Sequence, residues 1–225
     1  MSAVCIEKER QTADNVLISN DKSGFVSLAD VIPDAVFDIR YYSSFNFVGE
    51  RIDFYEAPVA YLAKVAATAL KKASEDLKKQ GYLIKIYDAY RPQTAVDHFK
   101  RWAEDLSDTR MKPYFYPDID KSDILPKGYI AKRSGHSRGA AVDLSLVYAS
   151  TGEDVDMGSD FDLFGEISHS GYTRTLTDEQ IENRRILRLS MVKNGFSPLA
   201  EEWWHFSLEN EPYPDTYFDF PVTLP

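Results

Sequence analysis

Only four histidines occur in the 225 residues, His98, His136, His169 and His205, so imidazole chemistry has few places to sit. His136 lies in Ser134-Gly135-His136-Ser137-Arg138-Gly139. The two glycines let the backbone turn sharply and approach a ligand closely. Seven residues later Asp143 interrupts an otherwise apolar run, where a carboxylate is costly unless it is paired, hydrogen-bonded or bound to a metal. An imidazole and a carboxylate are two ligands of an N/O zinc site. A loop histidine and an aspartate on a solvated strand face would carry the same letters. His205 ends the run Glu202-Trp203-Trp204-His205, in which two indoles can exclude water and fix a ring. Strand positions three apart face opposite ways. Glu202 and His205 therefore serve one site only if the chain turns or bulges between them; otherwise His205 is a core histidine among aromatics. Arg91, in Asp88-Ala89-Tyr90-Arg91-Pro92, has a planar fork suited to an oxyanion or a carboxylate, or to a salt bridge with Asp88. His98 is expected on the surface of a helix and His169 in a loop. Cys5 has no flanking catalytic signature.

The elements that must hold these residues follow from periodicity. Val59 to Gln80 is predicted as a helix, with Val59, Leu62, Val65, Ala66, Ala69, Leu70, Ala73 and Leu77 on its inner side and Gly81 as its stop. Tyr82 to Tyr87 is predicted as a strand. It ends at the turn before Pro92, which suits a first helical position, and a helix over Gln93 to Ser107 should bury Ala95, Val96, Phe99, Trp102, Ala103 and Leu106. Residues 108–135 read as a long irregular segment, 140–147 as a strand and 149–176 as irregular again. Thr177-Asp178-Glu179-Gln180 is a capping box that opens a third helix, and Asn194-Gly195 closes it. Two short strands are expected between Phe196 and Leu208, and the proline-rich tail should wrap irregularly. Helices and strands do not alternate regularly, which favours an α+β single domain with an antiparallel sheet flanked by helices. Residues 1–22 are polar and weakly patterned, an expected extension before a domain over 23–225.

Composition narrows the function classes. Asp plus Glu number 36 against 26 Lys plus Arg, a formal charge of -10, opposite to the basic footprint of a nucleic-acid binder. It is equally opposite to the polybasic segments that dock on anionic lipid. A single cysteine excludes an intramolecular disulfide framework and a thiolate-cage zinc site. No run approaches the roughly 20 apolar residues of a membrane span, and the first residues lack a signal-like apolar stretch. The expectation is a cytoplasmic protein with no nucleic-acid or membrane partner. A homo-oligomer stays open, because core and interface aromatics look alike in one sequence.

Taken together the motifs carry a resemblance. Ser134-x-His136-x6-Asp143, then Glu202-Trp203-Trp204-His205, with Arg91 upstream in a Tyr-Arg-Pro turn, resembles the zinc D-alanyl-D-alanine dipeptidases of the VanX type. These lie within a wider group of zinc peptidases that includes peptidoglycan D,D-carboxypeptidases and L,D-endopeptidases. The E-W-W-H form, the segment Asp156-Met157-Gly158 to Phe161-Asp162, and Asp38-Ile39-Arg40-Tyr41 followed by Asn46-Phe47 resemble the dipeptidase branch. The resemblance runs in order over residues 30–208. It implies a zinc site at the sheet with one Zn2+ per chain, held by His136, Asp143 and His205, and a fourth position left for water. It implies Glu202 as general base and Arg91 as stabiliser of the tetrahedral intermediate. It implies Tyr41 and Asp162 at the ammonium of a small dipeptide substrate, and Ser134 near its C-terminal end or backbone. Asp162 could instead cap a turn. The reaction implied is hydrolysis of D-Ala-D-Ala to two D-alanines, with segment 108–135 closing one side of a small pocket. Two rivals share the metal set: a D,D-carboxypeptidase or L,D-endopeptidase of the same group, and a non-catalytic zinc-binding module such as the hedgehog signalling domain. An intact Glu202 and Arg91 favour an enzyme.

Overall fold

The computed structural model describes residues 16–225; Cys5 and most of the expected N-terminal extension lie outside the described residues. In chain order these residues form β1 (Leu17–Ser19), β2 (Phe25–Ser27), α1 (Leu28–Val31), β3 (Val36–Phe37), β4 (Tyr61–Ala63), α2 (Lys64–Lys78), β5 (Tyr82–Asp88), α3 (Gln93–Glu104), α4 (Lys112–Phe115), β6 (Ala141–Tyr148), α5 (Asp178–Lys193), β7 (Phe196–Pro198), β8 (His205–Leu208) and β9 (Thr216–Phe218). Tight 3-10 turns occur at Lys121–Asp123, Gly135–Arg138 and Glu166–Ser168.

The central sheet has the order β3-β5-β6-β8-β7. It is antiparallel, as expected, except for the β3–β5 edge pair, which is parallel. β6 lies at its centre and is buried over Ala141–Val147, so its alternation marks two covered faces and not one wet face. That disposes of the solvated-strand alternative for Asp143, which is 2% exposed. Helices α2 and α5 pack on each other, α2 against β5 and α5 against β7. One apolar core runs through the sheet, these helices and the aromatic residues of the loops. The fold is thus a single α+β domain.

Several boundaries differ from the sequence expectation. The helix expected from Val59 starts at Lys64, because Tyr61–Ala63 pair with β2 and are fully covered there. Sheet pairing overrides helix propensity at that point, and Val65 is left exposed. α3 stops at Glu104, with Pro92 as its cap, so Leu106 is exposed and not core. α5 has the expected capping box: Thr177 Oγ1 accepts from Gln180 N at 3.2 Å, and Gln180 Oε1 accepts from Thr177 N at 2.9 Å. The tail is more ordered than its prolines suggest. β9 pairs with β1 in parallel, Val222 bridges to Tyr55, and Phe218 and Phe220 are buried. β1 therefore places residues 17–19 of the expected extension in a strand.

Candidate active site

The sheet register builds the first part of the site. Asp88 on β5 is paired with Asp143 on β6, and Asp143 with His205 on β8, so three polar side chains form one row across the sheet. A register shift between Ile86 and Asp88 brings Asp88 into that row, the kind of re-aiming that β-bulges perform. Between Glu202 and His205 the chain turns, with His205 N donating to Glu202 O at 3.3 Å. The turn satisfies the condition set by strand geometry: Glu202 Oε2 lies 3.7 Å from His205 Nδ1. Trp203 and Trp204 are buried beneath it.

His136 comes from the 3-10 turn ahead of β6. Ser134 Oγ caps that turn by accepting from His136 N at 3.2 Å. Gly139 ends it at φ +71°, where an added Cβ would stand 2.2 Å from the Phe25 ring, so neither the conformation nor the space admits a side chain. His136 Nδ1 lies 2.6 Å from the Ala89 carbonyl. A carbonyl only accepts, so Nδ1 carries the proton and the Nε2 lone pair points the other way. His205 Nε2 similarly meets Ser207 Oγ at 3.1 Å, leaving Nδ1 for the site.

The three free ends converge. His136 Nε2 is 3.1 Å from His205 Nδ1 and 3.2 Å from Asp143 Oδ2. His205 Nδ1 is 3.0 Å from Asp143 Oδ1. The edges of a zinc tetrahedron with arms of about 2.0–2.1 Å are roughly 3.3 Å. The donor set, its spacing and its outer hydrogen bonds thus fit a catalytic-type zinc site with three protein ligands. Among the described residues this is also the one cluster of three or more His, Cys, Asp or Glu side chains with metal-ligating geometry.

The electrostatics point the same way. Burial disfavours the Asp143 carboxylate, but its hydrogen bonds and charge interactions with His136 and His205 more than offset this and hold its pKa far below the usual range. Burial opposes charge on His205, yet Asp143 raises its pKa overall. Arg91 donates from Nε to Asp88 Oδ2 at 2.9 Å and reaches Asp143 Oδ2 at 3.4 Å, with its guanidinium over the rings of Tyr41 and Phe99. Arg91 is thus salt-bridged to Asp88 and also lines the site. Asp88 in turn accepts from Tyr55 Oη at 2.6 Å. Around this point four carboxyl groups, Asp88, Asp143, Asp162 and Glu202, surround the guanidinium of Arg91, a formal excess of three negative charges when all four are ionised. Burial, followed by the charge of Asp143, pushes Asp162 well up. Burial also raises Glu202, with Asp143 adding to the shift against the opposing pull of His205.

A cleft of about 350 Å³ opens over the triad. Tyr41, Arg91, Ser134, Asp162 and Glu202 all line it, so every residue singled out for substrate contact or catalysis is brought to one space. Asp162 is buried, has φ +61°, and accepts from Tyr41 Oη at 2.9 Å. It aims a carboxylate into the cleft in a backbone conformation rare outside glycine. Gly128 to Ala131, with Arg133 and Ser134, form another wall, which is where segment 108–135 meets the site. His98 and His169 stand apart from the metal cluster. His98 is half-buried rather than free on the surface, because its Nδ1 accepts from Asp53 N and its Nε2 faces Glu50.

Comparison with known proteins places the chain in a family. A family profile described as D-ala-D-ala dipeptidase matches residues 21–223. The chain belongs to that family. It is 40% identical over 202 residues to a D-alanyl-D-alanine dipeptidase of Enterococcus faecalis, covering 90% of this chain and 100% of that protein. D-alanyl-D-alanine dipeptidases of Enterococcus faecium and Streptomyces coelicolor are each 41% identical, covering 88% of this chain and 98% of each relative. Among the described residues of this family member, no helix is long and apolar enough to cross a membrane.

Sequence reasoning missed several residues that hold the site. Ser207 sits two positions beyond His205 on β8, and the period of two could have shown that they share a face. Tyr55 and the Ala89 carbonyl carry no such signal. Arg184, on α5, is the least expected. It is 7% exposed and donates to Met157 O at 2.6 Å, Ile167 O at 2.9 Å and Ser159 Oγ at 3.1 Å. Its guanidinium lies over the Trp203 ring, and Trp203 Nε1 donates to the same Ser159 Oγ at 2.8 Å. Arg184 thereby ties the loop that carries Asp162 to the turn that carries Glu202 and His205.

Proposed function

We propose that this dipeptidase-family chain hydrolyses D-alanyl-D-alanine to two D-alanines, with residues 23–225 as the catalytic unit and one Zn2+ held by His136, Asp143 and His205. The observation that carries the reading is the convergence of those three ligand atoms at 3.0–3.2 Å with Glu202 beside them in the cleft. When bound, zinc supplies a water of lowered pKa and a Lewis acid for the scissile carbonyl. Glu202 takes a proton from the attacking water and delivers it to the leaving amine. Burial raises its pKa, the direction that makes a carboxylate a better proton acceptor. Arg91, kept charged and oriented by Asp88 and two aromatic rings, donates to the oxygen on which negative charge develops. Asp162, oriented by the Tyr41 hydroxyl, receives the substrate ammonium, and that ammonium together with a divalent metal ion cancels the excess of three negative charges. Ser134 Oγ, which accepts from His136 N, keeps its own proton to donate to the C-terminal half of the substrate. The cleft lies near the lower end of small-molecule pocket sizes, which favours a dipeptide over a longer chain.

The test is D-alanine release by purified protein from D-Ala-D-Ala, D-Ala-D-Ala-D-Ala and L-Ala-L-Ala, with chelator and after zinc is restored. Release from the D,D-dipeptide alone, lost on chelation and recovered with zinc, is expected. Cleavage of the tripeptide would move the assignment to a carboxypeptidase. Absence of turnover in zinc-loaded protein would leave a binding module.

A further inference from the structure

Three arginines line the cleft: Arg91, Arg133 and Arg138. Two are already neutralised. Arg91 is paired with Asp88 and Asp143. Arg138 donates from Nε to Glu211 Oε2 at 2.6 Å and from Nη1 to Tyr217 Oη at 3.0 Å. Arg133 differs. It is exposed, its guanidinium stands 5.4 Å from the Tyr217 ring, and among the described residues it forms no ion pair with a carboxylate. The Tyr217 ring faces Arg138 at the same distance on its own account, so the two arginines share one aromatic flank while only Arg138 has an acid.

The charge balance of the cleft gives Arg133 a purpose. With a divalent ion in the triad and a ligand ammonium at Asp162, the four carboxylates and Arg91 sum to zero, and Arg138 cancels Glu211. A dipeptide also brings a C-terminal carboxylate. Nothing else that lines the cleft can answer that charge. Arg133 is the residue immediately before Ser134, whose hydroxyl proton is free to donate because its oxygen is already an acceptor for His136 N. A fork of guanidinium donors next to a hydroxyl donor is a fitting receptor for a carboxylate. We infer that Arg133 is a specificity-determining residue that binds the free C-terminal carboxylate of the substrate and so selects a dipeptide acid over an amidated or extended chain. This rests on the dipeptidase reading given above.

The test compares D-Ala-D-Ala with its C-terminal amide, D-Ala-D-Ala-NH2, as substrates of the zinc-loaded enzyme. Wild type should prefer the acid. Arg133→Gln should lower the acid-to-amide ratio of kcat/KM by roughly ten- to a hundredfold, the range of a charge-assisted hydrogen bond. The loss should fall mainly on KM for the acid, and Arg133→Lys should recover part of it. Lys132→Gln removes the same charge from an exposed neighbour that does not line the cleft, and should leave the ratio within about twofold. An Arg133→Gln ratio within about twofold of wild type, or an equal drop in Lys132→Gln, would overturn the assignment; the second result would mean a general field and no contact. Calorimetric binding of the acid and the amide to the same proteins decides the point independently of turnover. If wild type cleaved neither compound, the activity reading would fall, while the binding ratio would still support or reject Arg133.

Discussion

Arg184 offers the sharpest test of how the site is held, because it touches neither the metal ligands nor the cleft. Replacing it with Met keeps much of the buried stem and removes three strong donors, those to Met157 O, Ile167 O and Ser159 Oγ. Ser159 Oγ keeps Trp203 Nε1 as a donor, but Met157 O and Ile167 O lose theirs; a buried acceptor left without a partner costs about 1–3 kcal/mol, so the gross loss is about 2–6 kcal/mol. Against this stands the cost of burying the guanidinium. Burial holds its pKa down to about 10, and Asp156 offsets only part of the effect. Met carries no such cost, and the net loss is placed at about 2–4 kcal/mol, within the usual range for breaking a buried network. Urea unfolding of wild type and Arg184→Met reads it directly, as a lower midpoint with an unchanged slope. The same substitution frees the loop bearing Asp162 from the turn bearing Glu202. KM for D-Ala-D-Ala should therefore rise about tenfold or more while zinc content stays at one per chain, since an Ångström-scale misplacement far from the chemistry is enough to cost that much. Arg184→Lys keeps the charge but lacks the planar fork, and should recover less than half of either loss. An Arg184→Met protein within about 0.5 kcal/mol of wild type, the scatter of ordinary surface changes, with unchanged KM, would refute the reasoning.

Glu202→Gln should still bind zinc stoichiometrically by metal analysis while turnover falls about 10²–10⁴-fold, the usual contribution of general acid–base catalysis. Gly139→Ala places a Cβ 2.2 Å from the Phe25 ring in a φ +71° conformation; stability should fall by about 2 kcal/mol or more, and zinc affinity with it, as read by thermal unfolding and metal titration. Lys121 gives a pH signature. Its Nζ lies over the Trp102 ring and donates to Asp108 O at 2.9 Å, and burial lowers its pKa from 10.5 to about 8 despite the opposing charges of Asp108 and Asp105. Below pH 8 folded and unfolded chains both hold the proton and the cost of burying the charge is constant. Between pH 8 and 10.5 only the unfolded chain holds it, so wild type should gain stability relative to Lys121→Met as pH rises through that window. Denaturant unfolding at both ends of the window checks the sign, and a difference that is flat or falls with pH would contradict it.

The reactive centre was legible through the order of its motifs and not through any one of them. An aspartate inside an apolar strand, and a glutamate and histidine bracketing two tryptophans, each allowed a plain structural alternative, and only the resemblance joined them; the structure brings His136, Asp143 and His205 to one point, with Glu202 beside His205. What could not be read was whether Glu202 and His205 share a face. That depended on a turn whose hydrogen bonds run to Ser168 and Ser159, in a loop with no periodicity of its own. The helix start misplaced at Val59 has the same origin. Tyr61–Ala63 follow a partner strand more than thirty residues earlier, and no window on the local sequence contains it.

The two irregular stretches, 108–135 and 149–176, were recognisable only as long loops, yet they supply much of the cleft wall. Their apolar anchors, among them Phe115, Tyr116, Ile124, Met157 and Phe161, are buried but irregularly spaced, and a buried cation ties each stretch together. Lys121 gathers the first stretch onto Trp102 through the Asp108 carbonyl, and Arg184 gathers the second through three backbone carbonyls and one hydroxyl. A backbone carbonyl is present at every residue, so such a hub leaves no pattern among the side chains it organises. The difference is physical. Asp143 and His205 sit on strands, where register fixes them to their neighbours, and strands announce themselves by alternation; His136 comes from the turn that leads into one of those strands. Asp162 sits in an irregular stretch held by one long, charged side chain. Activity on the dipeptide should accordingly be more sensitive to Arg184 than its distance from the chemistry suggests, and metal binding less so.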